Sequence, residues 1–299
     1  MTVDFKSLKK GAGSLDKLKS AVEALNKPKY AKDDERFWQP ELDKAGNGFA
    51  VIRLLDAPAA DGEDGLPWVQ LFTHGFKAAG GWYIENCPTT LGYGNKCPAC
   101  EHNNILWNSG IEENKKVASN QKRKLVYISN ILVVSDPKNP ENEGKVFLWR
   151  YGKKIFDKVQ EKLTPVIPGK EAVNVYDFWK GANLNLMICK VAGFNNYDKS
   201  EFDSPSPVYK DDKQIETLWK SEYSLRSFVA EDQFKPHAEL SERLNKALGA
   251  GGAPAARAPK IEDDSAPWEE PKAAKPRKTA ESLEGVDDDL EYFNQLAND

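Results

Sequence analysis

HGFKAAGGWYIENCPTTLGYGNKCPAC, residues 74–100, carries His74, then twelve residues to Cys87, nine to Cys97 and two to Cys100. One imidazole and three thiolates fill a tetrahedral Zn²⁺ shell. Two residues between Cys97 and Cys100 let one tight turn aim both sulfurs at one ion, and Pro98 pre-sets the backbone angle of that turn. A redox Cys-x-x-Cys is the alternative, but it expects a thioredoxin-like βαβ setting and leaves His74 and Cys87 without a role. Four protein ligands leave no open position, so the expected ion is a single structural Zn²⁺. A zinc deaminase would need a Glu two residues after its His and a Pro just before its Cys-x-x-Cys. Phe76 and Lys96 stand there instead. His102 is a competing ligand, and His74 is preferred because apolar Leu71, Phe72 and Phe76 surround it in sequence.

At 299 residues and 40% hydrophobic content the chain can bury a real core. No apolar run approaches the length of a membrane span, and MTVDFKSLKK lacks the apolar segment of a signal peptide. A soluble, intracellular protein with no membrane partner is expected. The net charge of −4 is unevenly spread. Residues 261–299 hold twelve acids against four bases, a balance of −8, which leaves +4 for residues 1–260.

Three regions follow along the chain. Residues 1–25 form a basic arm with Lys6, Lys9, Lys10, Lys17 and Lys19 against Asp4, Asp16 and Glu23. Residues 26–248 read as a body of short strands, with the zinc region at about 68–107. Strands are expected at 48–55, 68–73, 81–85, 125–134, 145–151 and 183–191, and helices at 101–107, 152–159 and 231–248. A polar, flexible connection is expected between 107 and Lys122. Cys189, inside a strand, reads as a small buried hydrophobe. Residues 249–299 are a Gly/Ala/Pro linker followed by an acidic tail, suited to docking on protein partners.

The body repeatedly sets aromatic residues beside basic ones. Lys122, Arg123 and Lys124 precede Tyr127; Trp149, Arg150 and Tyr151 precede Lys153; Phe194 and Tyr197 follow Lys190. Single-stranded nucleic acid calls for both kinds of group, because cations neutralise phosphates while flat rings stack on unpaired bases. The competing expectation for each ring is a place in the core. A zinc-ribbon adaptor that binds proteins and touches no DNA is the alternative function, and a zinc enzyme is disfavoured by the closed metal shell.

The spacing His74-x12-Cys87-x9-Cys97-x2-Cys100, with Asn130-Ile-Leu-Val-Val134, Glu141-Asn-Glu-Gly-Lys-Val-Phe147, Gly152-Lys-Lys-Ile155 and Gly193-Phe-x-Asn-Tyr-Asp198, resembles the helix-destabilising single-stranded DNA-binding proteins of T4-like bacteriophages. The resemblance spans roughly residues 40–200. It implies a mainly β fold with α additions, in which an OB-fold core carries an inserted zinc subdomain between a flexible basic N-terminal arm and an acidic C-terminal tail. It implies a non-enzymatic, sequence-independent, cooperative binder of single-stranded DNA, acting in phage replication, recombination and repair in the cytoplasm of the infected bacterial host. The arm, with Lys6, Lys9 and Lys10, would mediate self-association along DNA. The tail would compete with DNA and recruit replication and recombination proteins. By position Trp82, Tyr127, Trp149, Phe194 and Tyr197 would stack on bases, with Lys122, Arg123, Lys124, Arg150 and Lys153 along the backbone path.

Overall fold

The apolar run LVYISNILVV is the centre of the sheet. It lies in the strand Lys124–Ser135, rich in β-branched residues that suit a pleated surface buried on both faces. The computed structural model describes residues 34–92, 94–167, 169–191 and 193–249. The expected arm with Lys6, Lys9 and Lys10, Tyr93 of the zinc region, and everything from residue 250 onward lie outside the described residues.

Eight strands pair antiparallel: β1 (Gly48–Leu54), β2 (Val69–Ala78), β3 (Gly81–Asn86), β4 (Lys124–Ser135), β5 (Val146–Tyr151), β6 (Asn183–Val191), β7 (Phe194–Asn196) and β8 (Glu201–Phe202). β4 organises them. Its first half pairs with β2, Val69 opposite Ile128, and its second half with β1, Leu54 opposite Ile131. β5 takes the other edge, from Tyr127 opposite Tyr151 to Leu132 opposite Val146. Two successive neighbours on one edge, with a register shift between Val51 and Ile52, curl the sheet into an OB-like half-barrel. β1 continues into β6, which pairs with β7 and β8.

Successive residues of β4 face opposite sides of the sheet. Tyr127, Ile131 and Val133 join the main core, whereas Leu132 packs with Leu55, Phe178, Ile215 and Leu218 on the other face. A continuous series of rings crosses the main core: Tyr176 to Trp68 at 5.4 Å, Trp68 to Phe156 at 5.4 Å, Phe156 to Tyr127 at 4.0 Å, Tyr127 to Tyr151 at 5.7 Å, Tyr151 to Trp149 at 4.8 Å and Trp149 to Trp38 at 6.4 Å. Each such pair adds about 0.5–1.5 kcal/mol beyond area burial, so the ring series reinforces the aliphatic burial that holds the curl.

Five α-helices are present among the described residues: α1 (Pro98–Asn108), α2 (Glu112–Gln121), α3 (Lys153–Leu163), α4 (Asp212–Lys220) and α5 (His237–Leu248). They occupy about as many residues as the strands, so the architecture is mixed α/β around the curled sheet. α2 replaces the flexible connection expected there. Its sequence EENKKVASNQ has almost no apolar period, and only Ala118 and Gln121 are buried. α4 has no counterpart among the expected helices; Asp211 caps it by accepting from the Lys213 N–H at 3.1 Å, and Ile215 and Leu218 are its buried residues. α5 starts later than residue 231 because Pro236 breaks the run, leaving a separate 3-10 turn at Glu231–Gln233. No helix among the described residues is long and apolar enough to cross a membrane.

The segment after α4 is tied to β4 by one side chain. Asn130, fully buried, donates from Nδ2 to Tyr223 O at 2.8 Å and accepts through Oδ1 from Tyr223 N at 3.0 Å. Asn130→Ala strands a backbone donor and an acceptor, which is expected to cost about 2–4 kcal/mol. Urea unfolding should show a lower midpoint at unchanged slope; an unshifted midpoint would contradict this role for Asn130.

Candidate metal centre and nucleic-acid interface

β2 runs five residues past the expected Thr73, so His74 sits within the strand, opposite Glu85 of β3. Cys87 follows directly after β3, and its N–H donates to Phe72 O at 2.7 Å, which pins the chain as it leaves the hairpin. Cys97 is the N-cap of α1, Pro98 is its first residue and Cys100 lies in its first turn. Two sulfurs therefore stand at a helix N-terminus, where the dipole favours the thiolate.

The four donor atoms lie within 4.8 Å of one another. His74 Nε2 is 3.5 Å from Cys97 Sγ and 3.3 Å from Cys100 Sγ, and Cys87 Sγ is 3.6 Å from Cys100 Sγ. His74, Cys87 and Cys97 are buried and Cys100 is half-buried. Three sulfurs this close cannot all be anions without a cation. Hydrogen bonds from Cys100 and Cys97 pull the Cys87 thiol far down, while the neighbouring Cys87 pushes Cys100 far up. Burial opposes a charged imidazole, yet hydrogen bonding with Cys87 and Cys97 outweighs it and raises His74 to about 9. The soft sulfur-rich donor set, the closed shell and the burial fit one structural Zn²⁺ held by His74, Cys87, Cys97 and Cys100.

A second layer orients these ligands. His74 Nδ1 lies 3.1 Å from Gln121 O, and since a carbonyl can only accept, Nδ1 carries the proton and Nε2 offers its lone pair to the metal. Asn103 Nδ2 donates to the same carbonyl at 2.7 Å. The end of α2 therefore supplies the backbone oxygen that sets the imidazole. Cys87 Sγ lies 3.1 Å from Thr89 Oγ1, which accepts from Arg123 at 2.5 Å, and the Arg123 guanidinium sits 4.3 Å from the Phe72 ring centroid. His102, half-buried on α1, is outside the cluster. Cys189 is also outside it, and is half-buried rather than fully buried as expected.

The residues expected to meet nucleic acid fall into two groups. Trp82 is 45% exposed on β3, with Lys77 Nζ 5.6 Å from its ring centroid, and Phe194 is 48% exposed on β7. Tyr127, Trp149 and Tyr197 are buried, the first two within the ring series. Lys122 is exposed at the end of α2, Arg123 and Lys124 are half-buried beside it, and Arg150 is half-buried on β5. Lys153 is exposed at the start of α3 and paired with Asp157 at 2.6 Å.

Fold-back of α2 on α1 creates a feature that neighbouring residues in sequence do not reveal. An open cavity of about 630 Å³ beside Cys100 is lined by Lys96, Lys122, Arg123, Asn103, Asn104 and Trp107, and the Trp107 indole is 52% exposed. Trp107 has no cation near it in sequence, so the ring-beside-base pattern misses it. Lys96 and Lys77 are likewise separated in sequence from the rings they join.

Removing the metal tests which histidine is the ligand. His74→Ala is expected to bring the zinc content of the purified protein well below one per chain, and His102→Ala to leave it at one, both read with a chromophoric chelator. Zinc uptake should release protons and weaken as pH falls, since each thiolate must lose its proton to bind. The reverse order of the two variants would transfer the ligand role to His102.

The family described as gp32 DNA binding protein like matches residues 46–248. The chain is 41% identical over 252 residues to a single-stranded DNA-binding protein of Enterobacteria phage T2, covering 81% of each chain. It is 40% identical over 246 residues to the single-stranded DNA-binding protein of Enterobacteria phage T4, covering 79% of each. A single-stranded DNA-binding protein of Escherichia phage SV14 is 44% identical over 92 residues, 30% of this chain and 79% of that sequence. Matched through the whole sheet, the metal ligands and all five helices, the chain belongs to the gp32 DNA-binding-protein-like family.

Proposed function

We propose that this chain binds single-stranded DNA irrespective of its sequence and performs no chemistry on it. The observation that carries the reading is the cavity beside the metal centre, where Lys96, Lys122 and Arg123 stand around the exposed Trp107. A cation takes a phosphate and a flat ring takes any base, so affinity comes without readout of the base edges. Trp82 with Lys77, Phe194, Lys124, Arg150 and Lys153 extend the path. The buried rings Tyr127, Trp149 and Tyr197 act beneath it by holding the sheet's curl. Membership of the family favours this reading over a zinc-ribbon adaptor, since the T2 and T4 relatives are named for single-stranded DNA binding.

Zinc supplies folding energy and fixes the wall that carries Arg123 and Lys122. Holding single strands better than duplex shifts DNA toward the melted form by mass action. Residues 1–25 join neighbouring copies along the strand, the body of 26–248 carries the zinc region at about 68–107, and residues 249–299 receive replication and recombination proteins. The setting is phage replication, recombination and repair in the cytoplasm of the infected bacterial host.

Lys96→Ala with Lys122→Ala is expected to lower the slope of log affinity against log salt by about 1.4, or 0.7 for each phosphate cation lost. Trp107→Ala should weaken binding to a short oligothymidine by about 1–3 kcal/mol. Tryptophan-quenching titrations across a salt series measure the first, and anisotropy of a labelled oligonucleotide the second. Unchanged slope and affinity in both variants would remove the cavity from the DNA path. Deleting residues 261–299 removes eight net negative charges and is expected to tighten DNA binding most at low salt; equal or weaker affinity would exclude competition by the tail.

A further inference from the structure

On the face of β4 opposite the ring series lies a second cavity, of about 470 Å³, that the reading above does not use. Its apolar walls are Phe178, Ile215, Trp179 and Trp219, the two indoles being 53% and 38% exposed. Neither ring is loosely held. Trp179 Nε1 donates to Asp212 Oδ1 and Trp219 Nε1 to Ala57 O, each at 2.9 Å, so both N–H groups are satisfied inside the fold and the ring faces are what remain on offer. Asp56, Asp212 and Glu216 supply the charged part of the lining.

The charge around it is one-sided. The three segments that line it, residues 56–68, 177–180 and 211–222, hold nine acids and three lysines. One of those lysines, Lys220, is already paired with Glu216. Glu222 is buried with neither carboxyl oxygen hydrogen-bonded, and burial together with Asp56 and Asp61 raises its pKa to about 9, so Glu222 itself is neutral near pH 7 and the negative charge comes from the other acids. An acidic, ring-walled cavity repels DNA and the acidic tail alike. It suits a segment that alternates cations with apolar side chains, because ammonium groups gain both the carboxylates and the indole faces.

Residues 1–20 have that composition. Phe5 and Leu8 interleave with Lys6, Lys9 and Lys10, and the stretch carries five lysines against two acids. We propose that the Trp179–Trp219 cavity receives the basic N-terminal arm of a second copy of this chain. The proposal rests on the reading of residues 1–25 as the self-association element. An arm from one copy seated in a different surface of the next is a heterologous contact, and such contacts propagate in line instead of closing after two subunits. Propagation in line is what copies aligned along one DNA strand require.

The test uses the full chain and compares clustering on long poly(dT) with binding to a short oligothymidine. Asp212→Lys with Glu216→Lys is expected to lower the preference for long over short strands at least tenfold, with short-strand affinity within about twofold of the unaltered protein. Lys9→Glu with Lys10→Glu in the arm should do the same, and all four substitutions in one chain should restore clustering. Undiminished clustering in the Asp212/Glu216 variant, or a four-fold variant that does not recover, overturns the docking site. Mixing the Asp212/Glu216 chain with the Lys9/Lys10 chain should restore long clusters, because each arm then meets a cavity of opposite charge on the other chain; a mixture that clusters no better than either variant alone means that the arm serves its own chain and also overturns it. Deleting residues 1–20 separates this failure from that of the underlying reading. Clustering that needs the arm but ignores the acids removes only the cavity, whereas clustering that survives the deletion removes self-association through the arm.

Discussion

Three sulfurs and one imidazole nitrogen gathered within 4.8 Å form a stable arrangement only around a cation. The four donors come from a strand, the end of a hairpin and the first turn of a helix. Little apolar surface backs them. The cluster around the site consists of Phe76, Tyr83, Ala99, Leu244 and Ala247 beside the cysteines themselves, with the partly buried Phe72, Ala78 and Leu248 packed against it. The ion therefore stands in for a core, and the positions of α1, α2 and the β2–β3 hairpin follow from its coordination geometry.

The outer layer carries that constraint to the surface. Three thiolates around Zn²⁺ leave one net negative charge, and a buried charge of that kind favours cations nearby. Arg123 answers it through Thr89, with its guanidinium laid on Phe72. Gln121, whose carbonyl sets the tautomer of His74, is followed directly by Lys122 and Arg123. One turn of chain thus finishes the metal site and begins the basic wall of the cavity beside it. A defect in the metal shell is transmitted to the surface cations through two hydrogen bonds, without any long-range mechanism.

The metal ligands were legible because their chemistry is local and their spacing unusual, and β4 was legible because ten nearly unbroken apolar residues admit few other fates. The ring-and-cation pattern was legible only in part, for a geometric reason. In a strand, adjacent side chains face opposite ways, so Arg150 between Trp149 and Tyr151 points away from both rings. Adjacency there signals two faces, not one site, and Trp149 and Tyr151 are in the core. Rings and cations that do meet are joined across strands or across helices: Lys77 lies opposite Trp82 in the β2–β3 register, and Lys122 reaches the Trp107 cavity because α2 folds back on α1. α2 escaped the sequence reading since its place is secured by the His74 and Asn103 bonds to its last carbonyl rather than by an apolar stripe.

Charge sign divides the surface into two regions of different use. The cavity beside the metal is lined by three cations against one carboxylate, Glu101, and the cavity between Trp179 and Trp219 by three carboxylates. DNA and the tail beyond residue 260, at −8, are both polyanions, so both are drawn to the first region and repelled by the second. A basic segment is sorted the other way. Since the acidic cavity packs against the face of β4 opposite the ring series, an occupant there leaves the rings and the metal wall uncovered. Under the proposed docking, opposite charge on separate elements lets one small body hold a strand and a neighbour together, each without displacing the other.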